Sequence, residues 1–133
     1  MISLLDANVL IALIDRLHPH HVAATTFFKS ALREGWATCP LTENGFLRIL
    51  GHPNYPGGPW SPQAARQLLA PYCSAPGHQF WLDDLSLADV GIIPVLPTSK
   101  GLTDIYLLSL AVKHGGRLAT CDHRIDPALV PGG

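Results

Sequence analysis

Four acidic residues stand where a predicted strand ends or a predicted helix begins. Asp6 and Asp122 each follow a short apolar run, and Glu43 and Asp104 lie in the first turns of predicted helices. In a parallel α/β sheet all four positions map to the carboxyl edge, where ligands bind. Carboxylates brought together there repel one another, and Mg²⁺ or Mn²⁺, which prefer oxygen ligands, would offset that repulsion. Such an ion polarises a phosphoryl oxygen and activates bound water, so the predicted chemistry is hydrolysis of a phosphate ester.

Three of these acids also have a purely structural explanation. Asp6 can cap the helix that follows it, because Asp is a good N-cap residue. Glu43 and Asp104 suit the positive end of a helix dipole. Asp83 and Asp84 follow another short apolar run and are the main competing acids, and we expect them to lie off the site. The prediction of a metal site therefore rests on the convergence of four acids.

The elements that must position these acids alternate between strand and helix. Apolar runs predict strands at 2–5, 36–39, 80–82 and 117–121. Apolar residues at helical spacing, with Pro, Ser or Gly near the ends, predict helices at 7–15, 19–34, 41–50, 62–73 and 103–114. This alternation favours a mostly parallel α/β sheet flanked by helices. The length of 133 residues fits a single domain over 1–133.

The charge of the chain restricts how a nucleic acid could bind. The formal net charge is −1, so nothing draws the whole chain towards RNA, DNA or a membrane surface. Any phosphate contact must come from local basic groups or from a metal ion. The candidates beside the acidic segments are Arg48, Lys100, His123 and Arg124. For any single one of them, a solvated surface charge is the better explanation.

The cysteines and the apolar runs bear on the location of the protein. Three cysteines, Cys39, Cys73 and Cys121, are far apart and form no C-x-x-C pair, which disfavours a zinc finger or a redox motif. They favour a reduced cytoplasmic protein with buried thiols. No basic segment precedes an apolar core, and no apolar run is long enough to span a bilayer. We therefore expect neither secretion nor a membrane span.

Four segments resemble the acidic motifs of PIN-domain nucleases. They are residues 4–13 (LLDANVLIAL), 41–48 (LTENGFLR), 102–111 (LTDIYLLSLA) and 118–125 (LATCDHRI). Their order and the chain length resemble VapC, the toxin of bacterial type II toxin–antitoxin pairs. The resemblance runs from Ile2 to about Ile125, where many relatives have Phe instead.

The resemblance implies a fold, an activity and roles for individual residues. The fold would be a PIN-like parallel α/β sandwich, and the activity a magnesium-dependent endoribonuclease that cuts a tRNA or rRNA loop, with manganese as a second suitable ion. The catalytic and metal-binding residues would be Asp6, Glu43, Asp104 and Asp122. Asn8, Thr103 and Thr120 match polar positions that orient those acids or the bound water. A cognate antitoxin that binds DNA would bury the site.

Two other functions remain open on the sequence alone. A HAD-type phosphohydrolase also begins with an Asp after its first strand, but it needs a second Asp two residues later as general acid, and this chain has Asn8. An inactive PIN-like module would only bind RNA or a partner, and the presence of all four acids argues against it. A composition that is 47% hydrophobic predicts apolar surface for self-association, with a twofold homodimer as the default.

Overall fold

A four-stranded parallel sheet forms the centre of the protein. The computed structural model describes residues 1–122, 127–130 and 132–133. Its strands are β1 (Ser3–Leu5), β2 (Trp36–Thr38), β3 (His78–Phe80) and β4 (Arg117–Ala119), in the order β3-β2-β1-β4. Its helices are α1 (Ala7–Ile14), α2 (His21–Glu34), α3 (Pro40–Leu50), α4 (Pro62–Cys73) and α5 (Leu102–Lys113). The predicted parallel α/β class is confirmed.

The first strand lies inside the sheet and is buried. Leu4 pairs with Ala37 of β2 on one side and with Leu118 of β4 on the other. Ser3, Leu4 and Leu5 are all fully inaccessible to solvent, which explains why no charged residue interrupts this run. Because all four strands are parallel, the residue that follows β1 lies in the middle of the carboxyl edge.

Two apolar layers cover the two faces of the sheet. Leu5 packs into a cluster that includes side chains of α1, α2, α3 and α4, with Trp36 and Phe46 at its centre. Leu4 packs into a second cluster with α5, through Leu107 and Leu110. Adjacent residues of a strand point to opposite faces, so the Leu4–Leu5 pair serves both layers.

The third strand lies two residues earlier than the sequence predicts. The apolar trio at 80–82 predicts the strand, whereas the hydrogen-bonded strand is His78–Phe80, paired with Trp36–Thr38 of β2. It is an edge strand whose last two residues are exposed, so its own hydrophobicity does not mark it. Trp81 is buried just beyond it, in the cluster with α5. The predicted span 80–82 is therefore wrong in position but right in order.

The helices are short compared with a bilayer. Within the part of the chain that the structure describes, none is long and apolar enough to cross a membrane.

Candidate active site

Asp6 lies at the end of the central strand and also begins the first helix. Its Oδ1 accepts a hydrogen bond from Ala7 N at 2.7 Å, and its Oδ2 accepts one from Thr120 Oγ1 at 2.9 Å. Only 7% of Asp6 is exposed. Burial raises the pKa of this carboxyl above its usual value, and the nearby Asp122 charge adds to the rise, although the two hydrogen bonds lower it. Asp6 therefore caps α1 and is also a buried carboxylate whose charge favours a nearby cation.

Thr120 ties the end of β4 to the start of α1. Its hydroxyl donates to Asp6 and accepts hydrogen bonds from Asn8 Nδ2 at 3.2 Å and from Asp122 N at 3.1 Å. Asn8 Oδ1 in turn accepts from Cys121 N at 3.2 Å. The structure thus brings together Asp6, Asn8, Thr120 and Asp122 from opposite ends of the sequence.

Glu43 lies in the first turn of α3, just after β2, and is half-buried. Its Oε2 accepts a hydrogen bond from Thr38 Oγ1 at 2.7 Å. Helix α3 approaches α1 closely at Gly45, where an added Cβ would lie 3.0 Å from the Ala7 Cβ. The small residues at this contact allow the helix that carries Glu43 to pack beside the helix that Asp6 caps.

Asp104 lies in the first turn of α5 and is half-buried, and Thr103 beside it is exposed. Because α5 packs along β4 and precedes it in the chain, its first turn lies at the same carboxyl edge. All four predicted acids are therefore on elements that meet at one edge of the sheet. Over residues 1–122, 127–130 and 132–133, no three of these acids have carboxylate oxygens that all lie within 4.8 Å of one another.

Two residues that the sequence analysis did not select lie beside Glu43. Cys73 ends α4 and His78 begins β3, and His78 Nε2 lies 2.8 Å from the Thr38 hydroxyl. Burial and the Glu43 charge raise the pKa of the Cys73 thiol, and burial lowers the pKa of His78. The signal that could have found them is a Cys-x₄-His spacing across a turn.

All three cysteines are free, and the prediction of buried thiols holds for Cys39 but is wrong for Cys73 and Cys121, which are half-buried.

The predicted RNA contacts occupy different parts of the surface. Lys100 is exposed in the 3₁₀ turn Ser99–Gly101, directly before α5 and its Asp104. Arg48 is exposed in the last turn of α3, at the end remote from Glu43. His123 and Arg124 lie outside the described residues.

The competing acids Asp83 and Asp84 are both exposed and have other partners. Asp83 Oδ2 accepts a hydrogen bond from Leu41 N at 2.9 Å, at the start of α3. Asp84 pairs with Lys113 at 2.7 Å. The hydrogen bond from Lys113 and the positive charge of Lys113 hold the pKa of the Asp84 carboxyl below its usual value. Each carboxylate therefore has a structural explanation.

Comparison with known proteins shows the family of this chain. The model of the family described as "PIN domain" matches residues 3–128. Ribonuclease VapC44 of Mycobacterium tuberculosis is 42% identical over 134 aligned positions, which cover 99% of this chain and 94% of that protein. Ribonuclease VapC39 of the same organism is 40% identical, with 92% of this chain and 89% of that protein covered. Ribonuclease VapC29, also from that organism, is 40% identical, with 92% and 86% covered. The chain therefore belongs to the PIN-domain family and, within it, to the VapC proteins.

Proposed function

We propose that this protein is a magnesium-dependent endoribonuclease and the toxin of a toxin–antitoxin pair. The observation that carries the proposal is the buried Asp6 carboxylate, which Thr120 links to the backbone of Asp122. The relatives named as ribonucleases support the same activity. The proposal treats residues 1–133 as one domain and places the protein in the cytoplasm, where free cysteines stay reduced.

The donor chemistry of the edge fits a hard divalent cation. Asp6, Glu43, Asp104 and Asp122 offer only carboxylate oxygens, which suit Mg²⁺ or Mn²⁺. The raised pKa of Asp6 has burial and a like charge as its causes, and a cation would counter both. When bound, the ion would polarise a phosphoryl oxygen of RNA and lower the pKa of its bound water. Thr120 and Asn8 hold the carboxylate of Asp6 and the backbone at Asp122 in fixed positions, and Thr103 is proposed to help orient Asp104.

The proposed substrate is a single-stranded loop of tRNA or rRNA, because unpaired bases are what proteins read in RNA. Incubation of the pure protein with total RNA, followed by mapping of the cut ends, tests the activity. Discrete cuts are expected with magnesium and none with EDTA. Absence of cleavage with both magnesium and manganese would contradict the proposal and favour an inactive PIN-like binding module.

Local basic residues are expected to supply the phosphate contacts. Arg124→Ala should weaken RNA binding and flatten its salt dependence by about one contact, which is a change of about 0.7 in the slope of log K against log salt for a single strand. The same measurement applies to Arg48→Ala, Lys100→Ala and His123→Ala. An Asp6→Asn background prevents cleavage while binding is measured.

Arg66→Ala is a matched control for these variants. Arg66 is exposed on α4 and donates to Gln63 Oε1 at 2.7 Å. Its replacement should leave the salt slope unchanged. If the slope were unchanged in all four test variants as well, the idea of local phosphate contacts would be wrong.

A groove beside Asp122 is the proposed binding place for a segment of the antitoxin. It has a volume of about 390 Å³ and is lined mainly by apolar side chains of α2 and β4, among them Phe27 and Leu118. Thr120 and Asp122 also line it. An antitoxin segment that lies in this groove would cross the acidic edge, where an Arg could pair with the carboxylates. We propose a twofold homodimer as well, since exposed apolar side chains such as Leu17 and Val22 remain on the surface.

Expression without the antitoxin is expected to stop growth of the host. Equal expression of Asp6→Asn is the control, because that variant keeps the shape of the protein and lacks the proposed activity. Co-expression with the cognate antitoxin should restore growth and yield a complex of the two proteins. A harmless, strictly monomeric protein that binds no antitoxin would contradict the assignment as a toxin.

A further inference from the structure

Three side chains with different ligand atoms meet beside Thr38, the last residue of β2. They are Glu43 from the first turn of α3, Cys73 from the end of α4 and His78 from the start of β3. One ligand atom of each lies within 4.8 Å of the other two. In the described part of the chain, no other trio of His, Cys, Asp and Glu side chains meets this distance. All three are half-buried, so the cluster is sheltered but still accessible to an ion.

We propose that Glu43, Cys73 and His78 form a zinc site, distinct in chemistry from the four-carboxylate edge. A thiolate, an imidazole nitrogen and a carboxylate oxygen are the three donor types that Zn²⁺ takes in proteins. Mg²⁺ prefers an all-oxygen set and would not select this trio. Three protein ligands leave the fourth tetrahedral position to water or to another ligand. The site needs no C-x-x-C pair, because a single cysteine contributes.

The spacing of the trio is close to what a zinc ion requires. In a tetrahedral site with bonds of about 2.0–2.3 Å, the ligand atoms are about 3.3–3.8 Å apart. Ligand atoms that already lie within 4.8 Å of one another therefore need only small side-chain rotations to close around the ion.

Neighbouring groups hold the ligands in place. The Thr38 hydroxyl donates to Glu43 Oε2 at 2.7 Å and contacts His78 Nε2 at 2.8 Å. The ring of His78 also packs against Trp36, with 4.6 Å between the ring centroids. Hydrogen-bonded partners of this kind orient the ligands of a metal and are part of its affinity. Thr38 belongs to β2 and the ladder between β2 and β3 fixes its distance from His78.

Zinc binding at this trio involves a simple exchange of protons. A Zn–S bond forms as the S–H bond of Cys73 breaks, and the proton leaves to water. Neutral His78 and ionised Glu43 contribute lone pairs, and no residue changes its oxidation state. Zinc held here would draw Glu43 away from the magnesium-binding edge, so the two ions would compete for this side chain. The zinc site itself does not depend on ribonuclease activity.

Titration of the metal-stripped protein with Co²⁺, a spectroscopic substitute for Zn²⁺, tests the site. No Mg²⁺ is added, because it would compete for Glu43, and a thiolate-to-cobalt band reports only cobalt that is bound to a cysteine. Wild type is expected to develop one equivalent of a thiolate-to-cobalt charge-transfer band, which Zn²⁺ then removes. Cys73→Ser should abolish the band. His78→Gln should weaken binding by more than about 100-fold, beyond the 10–100-fold that loss of an outer-shell partner costs.

Cys121→Ser is the matched control, because Cys121 is also half-buried and free but lies beside the other acids. It should keep the full band. A band that survives in Cys73→Ser, or one that disappears only in Cys121→Ser, would overturn the proposal. Circular dichroism of each variant checks that it is folded.

A second measurement uses only the wild-type protein. Alkylation followed by mass spectrometry reports the labelling rate of each cysteine. One equivalent of Zn²⁺ is expected to slow the labelling of Cys73 at least about tenfold and to leave Cys121 unchanged, whereas Mg²⁺ should protect neither. Equal labelling of Cys73 with and without zinc would show that the thiol is not a ligand.

Discussion

Asp6→Asn is expected to lower the rate of RNA cleavage by at least about 10²–10³-fold, the loss that follows removal of one preorganised electrostatic contact. The same result is expected for Glu43→Gln, Asp104→Asn and Asp122→Asn. Each substitution keeps the shape of the side chain and removes a negative charge from the proposed magnesium site. Single-turnover cleavage of a mapped RNA substrate in magnesium is the measurement, so that product release does not hide the effect.

Asp83→Asn and Asp84→Asn are the matched controls for these four variants. An Asn at position 83 can still accept the hydrogen bond from Leu41 N. The Asp84–Lys113 pair is exposed, and such pairs contribute little to stability. Both variants should therefore keep wild-type activity. If these two variants were inactive while the other four cleaved RNA, the carboxyl edge would not be the active site.

In EDTA, Asp6→Asn and Asp122→Asn are expected to melt at or above the wild-type temperature, and magnesium should reverse that order. Because the pKa of Asp6 is raised in the folded protein, the protonated carboxyl of Asp6 favours folding. That contribution to stability is lost as the pH rises through the raised pKa. The ionised carboxylate is therefore unfavourable for the folded state at neutral pH. Asn removes the charge. Magnesium at about 100 times its dissociation constant stabilises the folded wild type by about 2.7 kcal/mol, and the variants gain less.

Asp6→Ala separates the charge effect from the helix cap. Asp6 Oδ1 accepts a hydrogen bond from Ala7 N, and Asn can replace it there whereas Ala cannot. Loss of a cap costs about 1 kcal/mol with or without metal. Melting curves of wild type and the three variants in EDTA and in magnesium give the comparison. A wild-type protein whose stability responds to neither magnesium nor manganese has no metal site of the kind proposed.

The sequence predicted the central part of the fold better than its edge. An apolar run followed at once by a helical pattern predicts β1 and α1 within a residue or two, because both are buried and follow their hydrophobic periods. The edge strand β3 was predicted two residues too late, because its pairing with the backbone of β2 defines it. Two of its three residues are polar, and the buried Trp81, which belongs to the apolar trio behind the prediction, lies after the strand.

The same distinction applies to the residues of the site. The order of strands and helices predicts that Asp6 and Asp122 share an edge of the sheet. It cannot predict that Thr120 bonds Asp6 across 114 positions of sequence, since that contact depends on the pairing of β1 with β4. The approach of His78 to Thr38 likewise depends on pairing between strands, so the Glu43–Cys73–His78 cluster becomes visible only in three dimensions.

The pairing of the first strand with the last determines when, during synthesis of the chain, the proposed active site can assemble. Chains are synthesised from the amino terminus, and earlier elements can begin to fold first. Asp6 is made almost at once, but Thr120 and Asp122, which complete its surroundings, follow only after α5 and β4. Until β4 reaches β1, the growing chain has no assembled set of acids. The proposed nuclease site would therefore be completed only after residue 122 has been made, and the proposed antitoxin would act only on chains that have passed that residue.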